Sequence, residues 1–251
     1  MINKPIKARV HSFQSLGAVD GPGIRYVIFL QGCPYHCPYC HNPDTQPLLA
    51  VTNENGGGEY TVTELADRVE RYKSYFGETG GVTVSGGEPL LQKEFMAEFF
   101  AECHRRGIGT CLDTAGVMPD DAVRAVLSHT DVVLCDIKHP DETKSLELFG
   151  VNLGATGEFL SACRDAHCRV WIRHVVVPGL TDTPDGIRAV ERFAGAILTP
   201  EKIELLPFRK LCLEKYERLG IPFPLADTPE CDKKTLENCQ KVLTLTPRQV
   251  V

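Results

Sequence analysis

The sequence predicts an α/β fold, a partial (β/α)6 TIM-like barrel, on three observations. Six short apolar, β-branched runs recur, at residues 24–30, 81–85, 109–113, 131–136, 170–177 and 202–206. Longer stretches with helical periodicity separate them, which implies parallel pairing through right-handed crossovers. The residues with chemical potential fall just after these runs, at the C-terminal ends of the strands, where barrels of this kind gather their catalytic groups. Eight strand–helix units close a full barrel, so six predict a partial one. An open doubly wound sheet is the alternative architecture.

The first run, 24–30, feeds a cysteine-bearing loop at 32–42. A helix is expected over 63–76, with Thr63 as N-cap and Leu65, Val69 and Tyr72 at i, i+4 and i+7. The run 81–85 ends in Gly86-Gly87-Glu88, and the helix that follows, 91–106, stops at Gly107, a natural C′ residue. Asp113-Thr114 closes the third run and Asp136 the fourth, with helices expected at 120–128, 157–166 and 185–197. Pro207-Phe208-Arg209 follows the sixth. One catalytic domain over residues 1–251 is expected, with the barrel at about 24–206, an extension over 207–251, and a Gly-rich surface turn at 53–58.

Composition narrows the function classes. A chain of 251 residues can bury one large core. Eleven cysteines would suggest disulfides in a small secreted protein, but residues 1–9 have no apolar signal-like stretch, so a reduced, cytoplasmic chain is expected. The longest apolar runs are strand-sized, and Arg173 and His174 interrupt one of them, so no membrane span is expected. With a formal charge of −6 and no block of five basic residues, nucleic-acid binding is not favoured. Arg105-Arg106 and Lys233-Lys234 read as solvated helix faces. Cys111 and Cys135 read as barrel-core residues.

Cys33, Cys37 and Cys40 are spaced CxxxCxxC within one short loop. Disulfides consume cysteines in pairs and structural zinc is normally closed by four ligands, so a triplet leaves one coordination position open. Thiolates select iron–sulfur clusters or zinc. The alternatives are a zinc site completed by His36 or His41, or three unrelated thiols. The spacing, with Tyr39 directly before the last cysteine, resembles the radical SAM superfamily. That resemblance implies a 4Fe-4S cluster on Cys33, Cys37 and Cys40, through which the catalysis runs. Its free iron would bind S-adenosyl-L-methionine next to Tyr39, Cys40 and His41.

Further motifs extend the likeness. Gly86-Gly87-Glu88 resembles the superfamily's Gly-Gly-Glu motif, which implies a cofactor contact at Gly87, with Glu88 shaping the turn. Asp136-Ile137-Lys138 resembles its cofactor-contacting stretch. Arg209 aligns with a position where a family member carries a histidine that touches the cofactor. Two carboxylates at neighbouring strand ends, about 4 Å apart, would repel by roughly 4 kcal/mol at an effective dielectric near 20. The family likeness implies a monovalent cation, sodium or potassium, held by Asp113, Thr114, the Leu134 carbonyl and Asp136. Without a cation, Asp113 would cap its turn and Asp136 would pair with Lys138.

Asp20-Gly-Pro-Gly-Ile-Arg25 is by composition a turn, and it resembles the signature of glycyl-radical-enzyme activases, where Asp20 and His41 would face the protein substrate. Together these motifs resemble the pyruvate formate-lyase activases. Other activases insert a cysteine-rich module after the cluster loop, whereas residues 42–102 here contain no cysteine. The resemblance implies a monomeric enzyme that puts a glycyl radical on pyruvate formate-lyase, with flavodoxin or ferredoxin as electron donor. The alternatives are an activase of another glycyl radical enzyme, an enzyme acting on a small molecule, and a non-catalytic zinc-binding interaction protein.

Overall fold

The computed structural model describes residues 5–48 and 56–244. Residues 53–55 of the expected Gly-rich turn and 245–251 of the C-terminal extension lie outside the described residues. In chain order the elements are β1 (Lys7–Gly17), β2 (Arg25–Leu30), β3 (Gly58–Thr61), α1 (Val62–Glu70), β4 (Gly81–Gly86), α2 (Lys93–Arg105), β5 (Gly109–Thr114), α3 (Asp121–Leu127), β6 (Val132–Asp136), α4 (Glu142–Phe149), α5 (Leu153–Asp165), β7 (Arg169–Val176), α6 (Pro184–Gly195), β8 (Lys202–Pro207), α7 (Leu213–Leu219) and α8 (Lys233–Gln240).

One eight-stranded sheet runs β3-β1-β2-β4-β5-β6-β7-β8. The six expected strands, β2 and β4 to β8, pair in parallel and in sequence order. Because that order never reverses, the sheet has no switch point and winds in one direction, which separates a partial barrel from a doubly wound sheet. The sheet is open, with β3 and β8 at its edges. The sequence reading lacked β1 and β3, which add antiparallel to β2 and to each other. Their signal is weak: β1 carries polar residues through its middle and two register shifts, and β3 has four residues.

Register aligns the strand ends. Leu30 stands level with Gly86, Asp113 with Leu134, and Asp136 with Arg173. Side chains alternate between the two faces of each strand. The outer face packs on the helices in a core that includes Phe95, Phe99, Phe100, Phe149 and Phe159, all buried. On the concave face, Cys111, Val132 and Leu134 form a separate small core with Trp171 against it, while Cys135 lies in the outer core, so both thiols are interior as expected.

Local chemistry moved several expected boundaries. Helix α1 starts from Thr61 and not Thr63, because Glu64 lies three residues after Thr61 and the two close a capping box. Asn152 and Thr183 cap α5 and α6. Arg106 is not a solvated residue: its guanidinium bonds Asp67, Glu70 and Glu102 and ties α1 to α2. Lys233 is exposed, as read from the sequence.

Candidate active site

The loop after β2 returns on itself and is pinned at both ends. The Gly32 amide donates to the Thr45 carbonyl at 2.8 Å, Cys33 to Gln46 at 3.2 Å, and Cys40 to Cys37 at 3.1 Å. The Gln31 side chain donates to the Asp44 and Pro47 carbonyls. Helix α7 braces the loop from outside. Asp44 lies 3.1 Å from Lys215, 3.4 Å from His11 and 3.6 Å from Arg218, and the Tyr216 hydroxyl donates to the Cys40 carbonyl. Burial opposes the Asp44 charge, but the bonds from His11 and Lys215 outweigh it and carry the carboxyl down to about 2.

The Gly86-Gly87-Glu88 turn is built against this loop. Gly87 donates to the Leu30 carbonyl at 2.9 Å and Glu88 to Gly32 at 2.8 Å. A Cβ on Gly86, at φ 111°, would meet Leu30 N at 2.4 Å, and one on Gly87 would meet Gly32 O at 2.0 Å. The close approach these glycines permit is therefore first to the cysteine loop. Glu88 shapes the turn as expected: its carboxylate, 2% exposed, accepts from Thr114 Oγ1 at 2.6 Å and from the Leu90 and Ala115 amides, each at 3.1 Å. Burial lifts it to about 7.

At the next strand ends, Asp113 accepts from Ser85 Oγ at 2.8 Å and lies 3.8 Å from Arg173, while Asp136 pairs with Lys138. Burial raises the Asp113 carboxyl, with Arg173 opposing. Burial also disfavours the Lys138 charge, yet Asp136 and the groups around it keep that lysine protonated. Of the arrangement expected without a cation, the Asp136–Lys138 pair is present, while Asp113 takes Ser85 on the neighbouring strand in place of its own turn.

One cavity of about 260 Å³ gathers Cys33, Cys37, Cys40, Tyr39, His41, Gly87, Asp113, Thr114, Asp136 and Lys138. The ends of five strands, β4 to β8, and the loop thus meet at one place. Other expected members are elsewhere. Ile137 is buried, and its carbonyl accepts from His174 at 2.6 Å. Leu134 lies in the concave core. The Arg209 guanidinium turns from the cavity to the Cys231 carbonyl, 2.5 Å away, while the Arg209 carbonyl accepts from His41 at 2.9 Å. Asp20 lies inside the barrel, beyond the cavity wall, with its carbonyl accepting from Thr83 at 2.7 Å.

The donor set fits an iron–sulfur cluster. All three thiols are free and open on the same cavity. Among the described residues no three of His, Cys, Asp or Glu converge to hold a single ion, as a zinc site would need. His36 instead packs against Gly150, and the buried Tyr39 hydroxyl on the cavity wall has no hydrogen-bond partner among the described residues. Burial raises all three thiols, Cys33 to about 12 and Cys37 to about 11, and iron would deprotonate them outright on binding.

Comparison with known proteins agrees with this geometry. The pattern of the radical SAM superfamily matches residues 27–188. A pyruvate formate-lyase-activating enzyme from Clostridium pasteurianum is 43% identical over 239 residues, covering 95% of this chain and 98% of that one. The chain belongs to the radical SAM superfamily, in the family of the pyruvate formate-lyase-activating enzymes. A second relative of that name, from Staphylococcus aureus, is 40% identical over 92% of this chain and 93% of its own. A radical SAM methyltransferase from Sphaerobacter thermophilus superposes with a TM-score of 0.60 over 94% of this chain and 74% of that one, at 16% identity. A domain of a pyruvate-formate lyase-activating enzyme from Bacteroides vulgatus gives 0.54 over 66% and 93%, at 24% identity. These two likenesses concern the radical SAM fold alone.

The sequence reading missed several wall residues of this radical SAM site. Tyr35, whose hydroxyl donates to the Gly116 carbonyl, Ser85, Val175 and Phe208 all line the cavity. Arg173 had a visible signal, a charge inside an apolar strand, but only the fold shows what it touches.

Proposed function

We propose that this chain installs a glycyl radical on pyruvate formate-lyase. The observation that carries the reading is the thiol triplet opening on a cavity whose other walls are the ends of five parallel strands. Cys33, Cys37 and Cys40 would hold a 4Fe-4S cluster. When bound, that cluster supplies the electron for reductive cleavage of S-adenosyl-L-methionine, and the carbon radical so formed removes a hydrogen atom from a backbone glycine. Tyr39, Cys40, His41, Gly87, Asp136 and Lys138 would contact the cofactor, and Lys138 brings a positive charge to the wall.

Asp20 and His41 would meet the protein substrate. A monovalent cation between Asp113, Thr114, the Leu134 carbonyl and Asp136 is supported by the two neighbouring carboxylates, although the Thr114 hydroxyl already serves Glu88 and Lys138 already neutralises Asp136. We take the chain as one catalytic unit over residues 1–251, since Tyr216, Phe223, Cys231 and Cys239 of the extension share the barrel's outer core. It would act as a monomer in the cytoplasm with flavodoxin or ferredoxin as donor. No described helix is long and apolar enough to cross a membrane.

Anaerobic reconstitution should give a brown protein that forms 5′-deoxyadenosine under reduction and yields a glycyl radical EPR signal with pyruvate formate-lyase. Cys37→Ala should abolish both. Normal turnover in that variant would overturn the assignment, and a radical formed only on another glycyl radical enzyme would change the substrate.

A further inference from the structure

Three residues separate Cys33 from Cys37, and their side chains take different places: Pro34 and His36 are exposed, while Tyr35 turns inward and lines the cofactor cavity. Its hydroxyl donates to the Gly116 carbonyl at 3.1 Å. Gly116 is buried in the loop after β5, 81 positions along the chain, so its carbonyl needs a donor that the fold must supply. Burial raises the Tyr35 phenol, which keeps its proton and remains that donor. The tyrosine thus joins the middle of the cysteine loop to the segment that leaves β5.

That contact closes a ring of hydrogen bonds. The Glu88 amide donates to the Gly32 carbonyl at 2.8 Å, the Glu88 carboxylate accepts from Thr114 Oγ1 at 2.6 Å, and Thr114 Oγ1 in turn accepts from the Gly116 amide at 3.0 Å. The neighbouring Ala115 is held twice more: its amide donates to Glu88 at 3.1 Å and its carbonyl accepts from Thr156 at 3.0 Å. Protein groups alone therefore fix the acceptor of Tyr35. The same residue reaches a ligand through its main chain, because the Tyr35 amide is the backbone donor that favours the Cys33 thiolate against the burial that raises it. An N–H aimed at a ligand sulfur is one of the levers by which a protein sets the reduction potential of an iron–sulfur cluster.

We propose that Tyr35 is a positioning residue for the cluster: with its hydroxyl anchored on Gly116, it holds its own amide on the Cys33 sulfur, which retains the iron and raises the potential of the cluster. This rests on the reading of Cys33, Cys37 and Cys40 as cluster ligands. The positive end of the N–H dipole favours the state that carries the extra electron, so a loosened amide leaves the cluster harder to reduce. A side-chain anchor matters on this segment because Pro34 has no amide hydrogen with which to hold it. Tyr35 touches no reacting bond.

The test compares wild type with Tyr35→Phe, which keeps the ring in the wall and removes only the hydroxyl, and with Gly116→Ala, whose Cβ would meet the Thr156 Cα at 3.2 Å and displace the acceptor from the other side. Three quantities are read: hydrogen exchange of the amides of residues 33–37 in the metal-free chain, iron released to a chelator after anaerobic reconstitution, and the midpoint potential of the cluster. In Tyr35→Phe those amides should exchange roughly tenfold faster and iron should leave roughly fivefold faster. The midpoint should fall by about 28 mV, a threefold change in the equilibrium constant for one electron. A merely structural role would move the first two and leave the potential alone. A wild-type potential in Tyr35→Phe, or wild-type exchange in its metal-free form, overturns the proposal. Gly116→Ala should shift all three in the same direction, and it decides by the same criteria if Tyr35→Phe does not fold. Reconstituted wild type that holds zinc or no cluster overturns the functional reading and this inference with it, whereas a cluster whose potential both variants leave unaltered overturns the inference alone.

Discussion

Replacing Gly87 by alanine puts one methyl group where backbone already stands. The new Cβ would lie 2.0 Å from Gly32 O, 2.5 Å from Gly32 C and 3.2 Å from Cys33 Cβ. The Gly32 oxygen must retreat by about 1.4 Å to reach ordinary contact. It cannot do so by a change of rotamer, because the obstruction is main chain, so the start of the cysteine loop moves or β4 does. Either movement breaks the 2.8 Å bond from the Glu88 amide to Gly32. A buried amide left unpaired costs about 1–3 kcal/mol and forced overpacking a similar amount. The expected loss is therefore about 2–6 kcal/mol, a large part of the stability of an ordinary domain. Cys33 moves with the loop, so bound iron should also fall. Gly195→Ala is the control: it is the last residue of α6 with nothing within 4 Å of its Cβ, and at a helix end it should gain less than the about 1 kcal/mol of an interior position. Denaturant titration of the metal-free chain and iron per chain after anaerobic reconstitution read the two effects. Wild-type midpoint and iron content in Gly87→Ala would refute the packing argument.

Other outcomes follow from groups around the same cavity. Glu88 is raised from 4.5 to about 7 by burial, so its stabilising contribution is complete below pH 4.5 and is lost as pH rises through about 7. The stability advantage of wild type over Glu88→Gln should shrink by up to roughly 3 kcal/mol across that window, and a pH-independent difference would contradict the assignment. Tyr39→Phe removes a buried hydroxyl that has no partner among the described residues, and should stabilise the metal-free chain by about 1–3 kcal/mol; destabilisation in a melting experiment would show that the hydroxyl is bonded. Asp44→Asn should loosen the loop from α7 and speed iron release to a chelator, and wild type alone should lose the Asp44 contribution as pH falls from about 4 toward about 2. Equal release rates would argue that α7 does not brace the loop.

Much of this was legible without coordinates because it depends on residue type and short spacing. The thiol triplet, the glycine pair before Glu88 and the carboxylates at 113 and 136 are local patterns, each placed just after an apolar run. Partner choice was not legible. Thr114 pairs with Glu88, 26 positions away, and Asp113 with Ser85, 28 away. Arg209 shows the limit of alignment by short motif: its neighbour Phe208 lines the cavity, while its own guanidinium faces the Cys231 carbonyl of the extension.

By itself the sequence determined the parallel order, the cluster loop and the class of chemistry, since apolar periodicity and ligand spacing act over a few residues. The tertiary structure decided which polar atoms meet. It set the role of Gly87 through the backbone of Gly32, added β1 and β3 to the sheet edge, and brought Arg173 against Val19, 154 positions away. The physical reason is that a buried charge or amide must find an acceptor wherever the closed fold offers one, and that acceptor has no fixed distance along the chain.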